Sequence, residues 1–469
     1  MNPHPFPPTR RQALKNLSTG FAYTAFAGLS AMQSRSSLAA TAATASSNNP
    51  LAPKAPHFAA TAKRVIFLCM EGGPSHIDTF DYKPRLNKDS GNVAGLRGDA
   101  KWLGSPFEFK QHGESGLPIS ELYPHLAQHA DDLCLVNGMH TDVPSHPQAF
   151  AQLHTGNFQF VRPSLGAWSL YGLGTENQNL PGFITLSPPT GANNYGSAFL
   201  PAIYQGTPIG SSLRTQNYDT SAAGMPNLSN PKLSSERQRL QLDFAKSLNR
   251  GKLDQEVHNP RVEGLIESFE LAFRMQSEIP GLLDIDAESQ ATKSLYGIDN
   301  QASAKFGRQC LLARRFAEAG VRFIEITHGS WDQHRNLEQA LRDNTAATDQ
   351  PIAGLLTDLK QRDLLKDTLI VWSGEFGRTP YAQGNDGRDH NNKGFSAWMA
   401  GGGVRGGLRY GATDEHGYQA VENKTHIHDL HATILHLMGL DHTKLTYNYA
   451  GRDFRLTDVY GEVMKDVLG

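Results

Sequence analysis

Three cysteines in 469 residues are too few for a disulfide framework, and the odd number leaves at least one outside any intramolecular pair. Charge of one sign is also missing. The 44 Lys and Arg nearly balance the 46 Asp and Glu, and a net charge of −2 gives no global pull toward nucleic acid or an anionic membrane. No apolar run reaches the roughly 18–20 residues of a membrane helix. No internal repeat is visible. These absences exclude a disulfide-stapled scaffold, a nucleic-acid binder and an integral membrane span. What the chain has in quantity is glycine, 45 residues, and histidine, 19 residues, many of the latter near turns. The length suits one large α/β domain with insertions, or two domains.

The first residues read as an address. Thr9-Arg10-Arg11-Gln12-Ala13-Leu14-Lys15 has the form of a twin-arginine export signal, with Ala13 where Phe is common. A mildly apolar stretch from Leu17 to Met32 follows, then small residues that offer A-x-A cleavage sites at Ala40-Thr41-Ala42 and Ala43-Thr44-Ala45. Residues 1–45 are therefore expected to be removed, and 46–62 to be a Pro/Ala linker. The mature protein is expected in the periplasm or outside the cell.

Buried strands read as short apolar runs at 64–70 (RVIFLCM), 132–137 (DLCLVN), 181–186 (PGFITL), 321–327 (VRFIEIT), 368–372 (TLIVW) and 395–400 (FSAWMA). Helices are expected at 117–130, 304–319, 336–365 with a break near Pro351, and 425–439. Gly320 would cap the second of these. Residues 205–300 are polar with helical patterns and read as a helical insertion. Cys69 and Cys134 fall in strands that can be neighbours. A bond between them needs Cα atoms within about 7 Å, and two buried thiols is the simpler reading.

Polar residues gather where the strands end. The first run leads into Glu71-Gly72-Gly73-Pro74-Ser75-His76-Ile77-Asp78, a sharp turn with backbone N–H groups free to meet an anion. The second leads to His140, Ser145, His146 and His154. The fourth leads to His328, Asp332 and His334. The fifth ends in Gly374-Glu375-Phe376-Gly377-Arg378, followed by a polar loop with Asp386, Arg388, Asp389, His390 and Lys393. In open α/β sheets the carboxyl edge is where ligands bind, so acids and histidines on four strand ends describe a metal or anion site. His428 and Asp429 start the last helix, where they either reach that site or cap the helix. Gly401 to Gly407 lacks the Lys-Ser/Thr of a phosphate loop and reads as a turn.

GGPSHIDTFDYKP, SGEFGRTP, GRDHNNKGFSAWMAGGGV and HDLHATILHLMGL, in that order, resemble the alkaline phosphatase superfamily. Within it they resemble most a twin-arginine-exported branch of sulfatase-like proteins, the domain of unknown function 1501 family. The resemblance spans about 60 to 460 and implies an alkaline-phosphatase-like α/β/α sandwich with a mostly parallel central sheet. It also implies one or two divalent metals, zinc foremost, with calcium or manganese as alternatives. By position, Glu71 stands for the first-strand aspartate. Gly374-Glu375-Phe376-Gly377 stands for Ser-Asp-His-Gly. Asp332 and His334 stand for an Asp…His metal pair, and His390 for the last metal histidine. The departures are two glutamates for aspartates and Phe376, which cannot ligate. One metal set (Asp332, His334, His390) is then nearly intact, and the other (Glu71, Glu375) has lost a ligand. No formylglycine motif is present. Its expected place falls on His146 with Ser145 beside it, so Ser145, His146 or a metal-bound hydroxide is the nucleophile. Arg378, with Arg388 and Lys393, would neutralise the anion, and His76 or His146 would act as general acid or base. The implied activity is hydrolysis of phosphate or sulfate esters, on a small anionic ester or a sulfated or phosphorylated glycan. A non-catalytic exported binding protein with a degenerate site is the alternative, and an exported partner protein is a third idea.

Overall fold

The apolar runs do become strands. The computed structural model describes residues 49–210, 233–253 and 260–469, so the export signal and cleavage sites lie outside the described residues. In chain order the elements that place the site are β1 (Arg64–Met70), β2 (Leu133–His140), α1 (His146–Thr155), α2 (Leu165–Leu173), β3 (Phe183–Leu186), β4 (Thr207–Ile209), α3 (Ser235–Leu253), α4 (Pro260–Leu283), α5 (Ala304–Glu318), β5 (Phe323–His328), α6 (Leu337–Gln361), β6 (Thr368–Ser373), β7 (Gly377–Gln383), β8 (Gly387–Asn391), β9 (Phe395–Ala400), β10 (Leu408–Tyr410), β11 (Thr425–His426) and α7 (Ile427–Leu437).

Nine of these strands form one sheet in the order β10-β2-β9-β6-β1-β5-β3-β4, with β11 pairing β2 beyond β10. All neighbours run parallel except β9, which is antiparallel to both β2 and β6. Every residue of β1 and β6 is buried, so both faces of the sheet are covered, which is why these strands read as unbroken apolar runs rather than alternating ones. The expected mostly parallel α/β sheet is what forms. On the carboxyl side of β6 the chain turns into the β7–β8 hairpin, whose antiparallel pairing sets Arg378 opposite His390.

Several expectations need correction. Residues 117–130 are not a helix. Leu117–Ser120 pairs antiparallel with Phe109–His112, and a 3₁₀ segment runs Leu126–Asp132. Pro118 and Pro124 each remove a helical N–H donor, and a helix through them would be broken. Helix α6 is not broken at Pro351, which is buried inside one continuous element. The apolar stripe Ile352, Leu355, Leu356 and Leu359 continues through it and packs in the core. Cys69 and Cys134 are not neighbours, because β6 and β9 stand between their strands, and all three thiols are free and buried. Within the stretch read as a helical insertion, α3 and α4 are helical as expected, and 211–232 and 254–259 lie outside the described residues.

Candidate metal centre

Three loops deliver the site. After β5 the chain makes tight turns in which the Gln333 N–H bonds to the Trp331 carbonyl and the His334 N–H to the Asp332 carbonyl. This loop is tied to the hairpin by Arg388 N–H to the Gln333 carbonyl at 3.1 Å and Leu337 N–H to the Asp386 carbonyl at 3.0 Å. In the hairpin the register slips between Arg388 and His390. Such a bulge re-aims a side chain, and here His390 is the one presented to the loop. After β2, Ser145 precedes α1 and places His146 at its first position.

The imidazole Nε2 atoms of His146, His334 and His390 all approach one oxygen, Asp332 Oδ1, at 3.2, 2.9 and 3.3 Å. Two of them, His334 and His390, stand 3.0 Å from each other. The four ligand atoms lie within 4.8 Å of one another. Each Nδ1 is committed elsewhere. His146 Nδ1 donates to Glu375 Oε1 at 2.6 Å, His390 Nδ1 to the Pro144 carbonyl at 2.8 Å, and His334 Nδ1 to Gln383 Oε1. With the protons on Nδ1, all three Nε2 atoms offer lone pairs to the same point. Imidazole lone pairs do not gather around a carboxylate unless a cation or a proton lies between them. Histidines that hold a metal show this pattern, the far ring N–H given to a carboxylate or carbonyl.

The residues fit a transition metal. Three imidazoles and a carboxylate make the four donors zinc takes. Calcium, expected at the outset as an alternative, takes six or more oxygens, and this donor set does not suit it. The electrostatics agree. Burial raises the Asp332 carboxyl, but hydrogen bonds from His146, His390 and Arg378 outweigh it and hold the group far below the usual carboxylate range. Burial lowers His146, yet bonds to Asp332 and Glu375 bring it up to about 9.

The other nominated residues divide. Glu375 is fully buried and accepts from the Gly72 N–H at 3.0 Å as well as from His146, so it orients a histidine. Glu71 lies nearby, its carboxyl raised by burial and by Glu375 but lowered by Thr190. One of its oxygens is buried without a hydrogen-bond partner. Phe376 is buried against the rings of His146 and His390, centroids 4.8 and 4.7 Å apart. Ser145 makes no cap bond to α1. Arg378 does not face a ligand. It is fully buried, and its guanidinium bonds Asp332 Oδ1 at 2.6 Å and the carbonyls of Gly72, Gly73, Trp331 and Arg388. Arg388 is equally buried and pairs with Asp78 at 2.7 Å, and Lys393 lies over the Tyr418 ring. His76 is not brought to the cluster either. It is buried with Nε2 donating to the Gly417 carbonyl at 2.8 Å. Neither His428 nor Asp429 joins the cluster: Asp429 accepts from the His426 N–H in the α7 capping box, and His428 Nε2 donates to the Gly156 carbonyl at 2.7 Å. The fourth member of the cluster, His146, reads from the sequence as a base or nucleophile and stands instead among the groups that could hold a metal. Its place in the cluster depends on a loop closure between 146 and 332 that spacing does not reveal.

A cavity of about 530 Å³ opens beside the cluster, walled by His146, Asp332, Glu71, Thr190, Ser330 and the start of α5. No helix among the described residues is long and apolar enough to cross a membrane.

A family described as "Protein of unknown function (DUF1501)" matches residues 62–468. No curated protein matches the sequence. Among solved structures, the chain is similar to Ps i-CgsB in complex with k-i-k-neocarrahexaose, with 11% identity, 81% of this chain and 72% of that chain covered, and a TM-score of 0.36. A 2-O GAG sulfatase gives 12% identity, 87% and 74% coverage, and a TM-score of 0.35. The alkaline phosphatase from the Antarctic bacterium TAB5 gives 11%, 81% and 98%, and 0.31.

Proposed function

Since the chain belongs to the DUF1501 family, its chemistry rests on its own residues, and we propose that it is an exported, zinc-dependent hydrolase of phosphate or sulfate esters. The observation that carries this is the convergence of three Nε2 lone pairs on Asp332, each imidazole anchored at Nδ1. The Arg10-Arg11 segment supports export. His146, Asp332, His334 and His390 would hold the ion, and the metal when bound supplies a Lewis acid that polarises the ester oxygen and acidifies a coordinated water or hydroxyl.

The chain's own residues do the rest. Arg378 neutralises Asp332 from the buried side and fixes its loop through four backbone carbonyls. Glu375 and Phe376 hold the His146 ring, one by hydrogen bond and the other by contact. The Asp332 side chain is 45% exposed, so an ester can reach the cluster from solvent. Ser145, next to His146 and free of capping, is the hydroxyl offered as nucleophile. The test is elemental analysis of protein exported without added metal, together with hydrolysis of 4-nitrophenyl phosphate and 4-nitrophenyl sulfate. About one zinc per chain, absent in His390→Ala, with turnover lost in the same variant, supports the reading. A well-folded wild-type protein with no metal sinks it.

Phe376 favours a second reading, an exported ligand holder without turnover. It fills with a ring the place where the resemblance puts a ligand. One bound zinc with no hydrolysis of any ester would shift the assignment there.

A further inference from the structure

Two adjoining turns at the far end of α1 show water an unusual amount of apolar surface. The helix rises about 15 Å from His146 to Thr155, and the chain then passes through Gly156 into residues 157–162. Residues 455–460 lie against this turn. A Cβ on Gly156 would run into the Leu456 carbonyl oxygen. His428, whose Nε2 donates to the Gly156 carbonyl at 2.7 Å, stacks on the Tyr460 ring with centroids 5.2 Å apart. Each turn exposes two large apolar residues. Phe160 and Val161 are 60% and 55% exposed, and Val459 and Tyr460 are 69% and 62% exposed. Single exposed hydrophobic residues are ordinary. Four on two turns in contact, rimmed by charge, mark an interaction site.

The charge at the rim is not balanced. The Arg162 guanidinium lies over the rings of Phe454, Phe160 and Phe199, 4.6, 5.2 and 6.0 Å from their centroids. Arg452 lies over Phe454 as well, at 4.7 Å, on the hairpin that pairs Tyr447–Tyr449 with Arg452–Phe454. Arg452 has the Asp458 carboxylate, and Arg455 takes the Asp458 carbonyl. Arg162 forms no ion pair among the described residues. Burial and the Arg452 charge both oppose its charged form, and Asp458 only partly offsets them. A lysine could answer by shedding its proton, but a guanidinium cannot. Arg162 therefore stays a cation held over aromatic rings beside a second cation. An oxyanion at its edge would accept from two N–H groups at once and relieve that repulsion.

The make-up of the patch selects its occupant. An anionic lipid surface calls for clusters of about four to eight basic residues, and Arg162 is one. A sugar chain would set hydroxyls against Val161 and Val459. Apolar side chains beside a carboxylate match both the valines and the guanidinium. We propose that these two turns dock a segment of a partner protein in which an Asp or Glu carboxylate, flanked by aliphatic or aromatic side chains, accepts from Arg162. The site is separate from the metal centre and stands or falls without it. A random-peptide library displayed on phage is panned against the immobilised full chain, and enriched peptides are titrated calorimetrically in free form. The expected sequences share an acidic residue between apolar ones. Replacing that acid by its amide should weaken binding about tenfold, the size of one charge-assisted hydrogen bond. The acid-over-amide preference should vanish in Arg162→Met, which keeps an apolar stem over the rings. Phe160→Ser, at an exposed position where folding is not at stake, should weaken acid and amide peptides alike. Zinc content should be unchanged in both variants. Panning that enriches no such sequence overturns the proposal, as does a preference that survives in Arg162→Met or binding that ignores Phe160→Ser. Binding of dextran sulfate or phosphatidylglycerol vesicles that Arg162→Met abolishes, with no peptide enriched, also overturns it and gives the patch to a glycan or a lipid.

Discussion

At the scale of single residues, the centre is defined less by which side chains are present than by what their far atoms do. A histidine with its Nδ1 proton given to a fixed acceptor presents one lone pair in one direction. When no cation is there, the Asp332 and Glu375 carboxylates on either side of His146 favour its imidazolium and outweigh burial, raising it to about 9. A metal ion must displace that proton, so affinity rises with pH toward 9 and levels beyond it. Calorimetric titration of metal-free protein with zinc, in buffers of different ionisation enthalpy, should report close to one proton released per ion at pH 7 and a falling number above pH 9. Release of no proton at pH 7 would contradict the arrangement. Glu375→Gln keeps shape and the Gly72 bond but weakens the hold on His146 Nδ1. Zinc affinity should fall about 10- to 100-fold, as for other second partners of metal-bound histidines, with the unfolding midpoint of the metal-free protein little changed. Competition with a chromophoric chelator measures it.

At the scale of elements, the β1 turn and the β5 loop are packed backbone to backbone. A Cβ on Gly72 would stand 2.6 Å from Asp332 N and 2.8 Å from the Trp331 backbone, at φ +122° where a side chain is already strained. Gly72→Ala should therefore push the Asp332 loop outward. The expected cost is roughly 2 kcal/mol or more, from strain and displaced packing together. Urea unfolding measures it, and a loss of bound zinc at temperatures where the fold persists would show that the loop moved. The strands were legible because a doubly covered parallel sheet needs continuous apolar runs, and RVIFLCM and TLIVW are such runs. That the acids and histidines at their ends would share one edge followed from the same pattern. The direction of each side chain did not. Arg378 and His390 face each other across a hairpin whose strands, GRTPYAQ and GRDHN, alternate poorly and read as loop. The bulge that turns His390 toward Asp332 leaves no mark in composition. Neither does the contact that makes Arg378 a buried strut instead of an exposed anion clamp.

At the scale of the molecule, the cluster joins segments far apart in the chain, at 146, 332–334 and 390, above a sheet that is already complete beneath them. Zinc should therefore stabilise the folded protein by mass action without being needed for folding, by about 2.7 kcal/mol at a hundredfold excess over Kd. Thermal unfolding with zinc and with chelator should differ by several degrees while the far-ultraviolet spectrum is unchanged, and unfolding on chelation alone would contradict this. The sheet has its own charged pair under α1. His154 Nε2 lies 2.8 Å from Glu325 Oε1, both buried, and His154 Nδ1 donates to the Phe150 carbonyl. With Nδ1 donating, the Nε2 contact needs a second proton, and the imidazolium is the form that fits. Burial opposes that charge, but Glu325 outweighs it and the His154 value is raised. A group raised in the folded state contributes stability that is complete below its unfolded value, near 6.5, and is lost as pH climbs through the folded one. Metal-free protein should thus become less stable from pH 6.5 upward. The double variant His154→Gln/Glu325→Gln, which keeps the shape and removes both charges, should have a shallower slope, the remainder coming from His146, whose value is also raised. Since neutral replacement of a buried pair is often tolerated while removing one partner costs about 3–5 kcal/mol, the single variant Glu325→Gln should be less stable than the double at pH 6. Urea unfolding at pH 6 and pH 9 decides it, and parallel pH profiles for the wild type and the double variant would mean that the pair holds no extra proton.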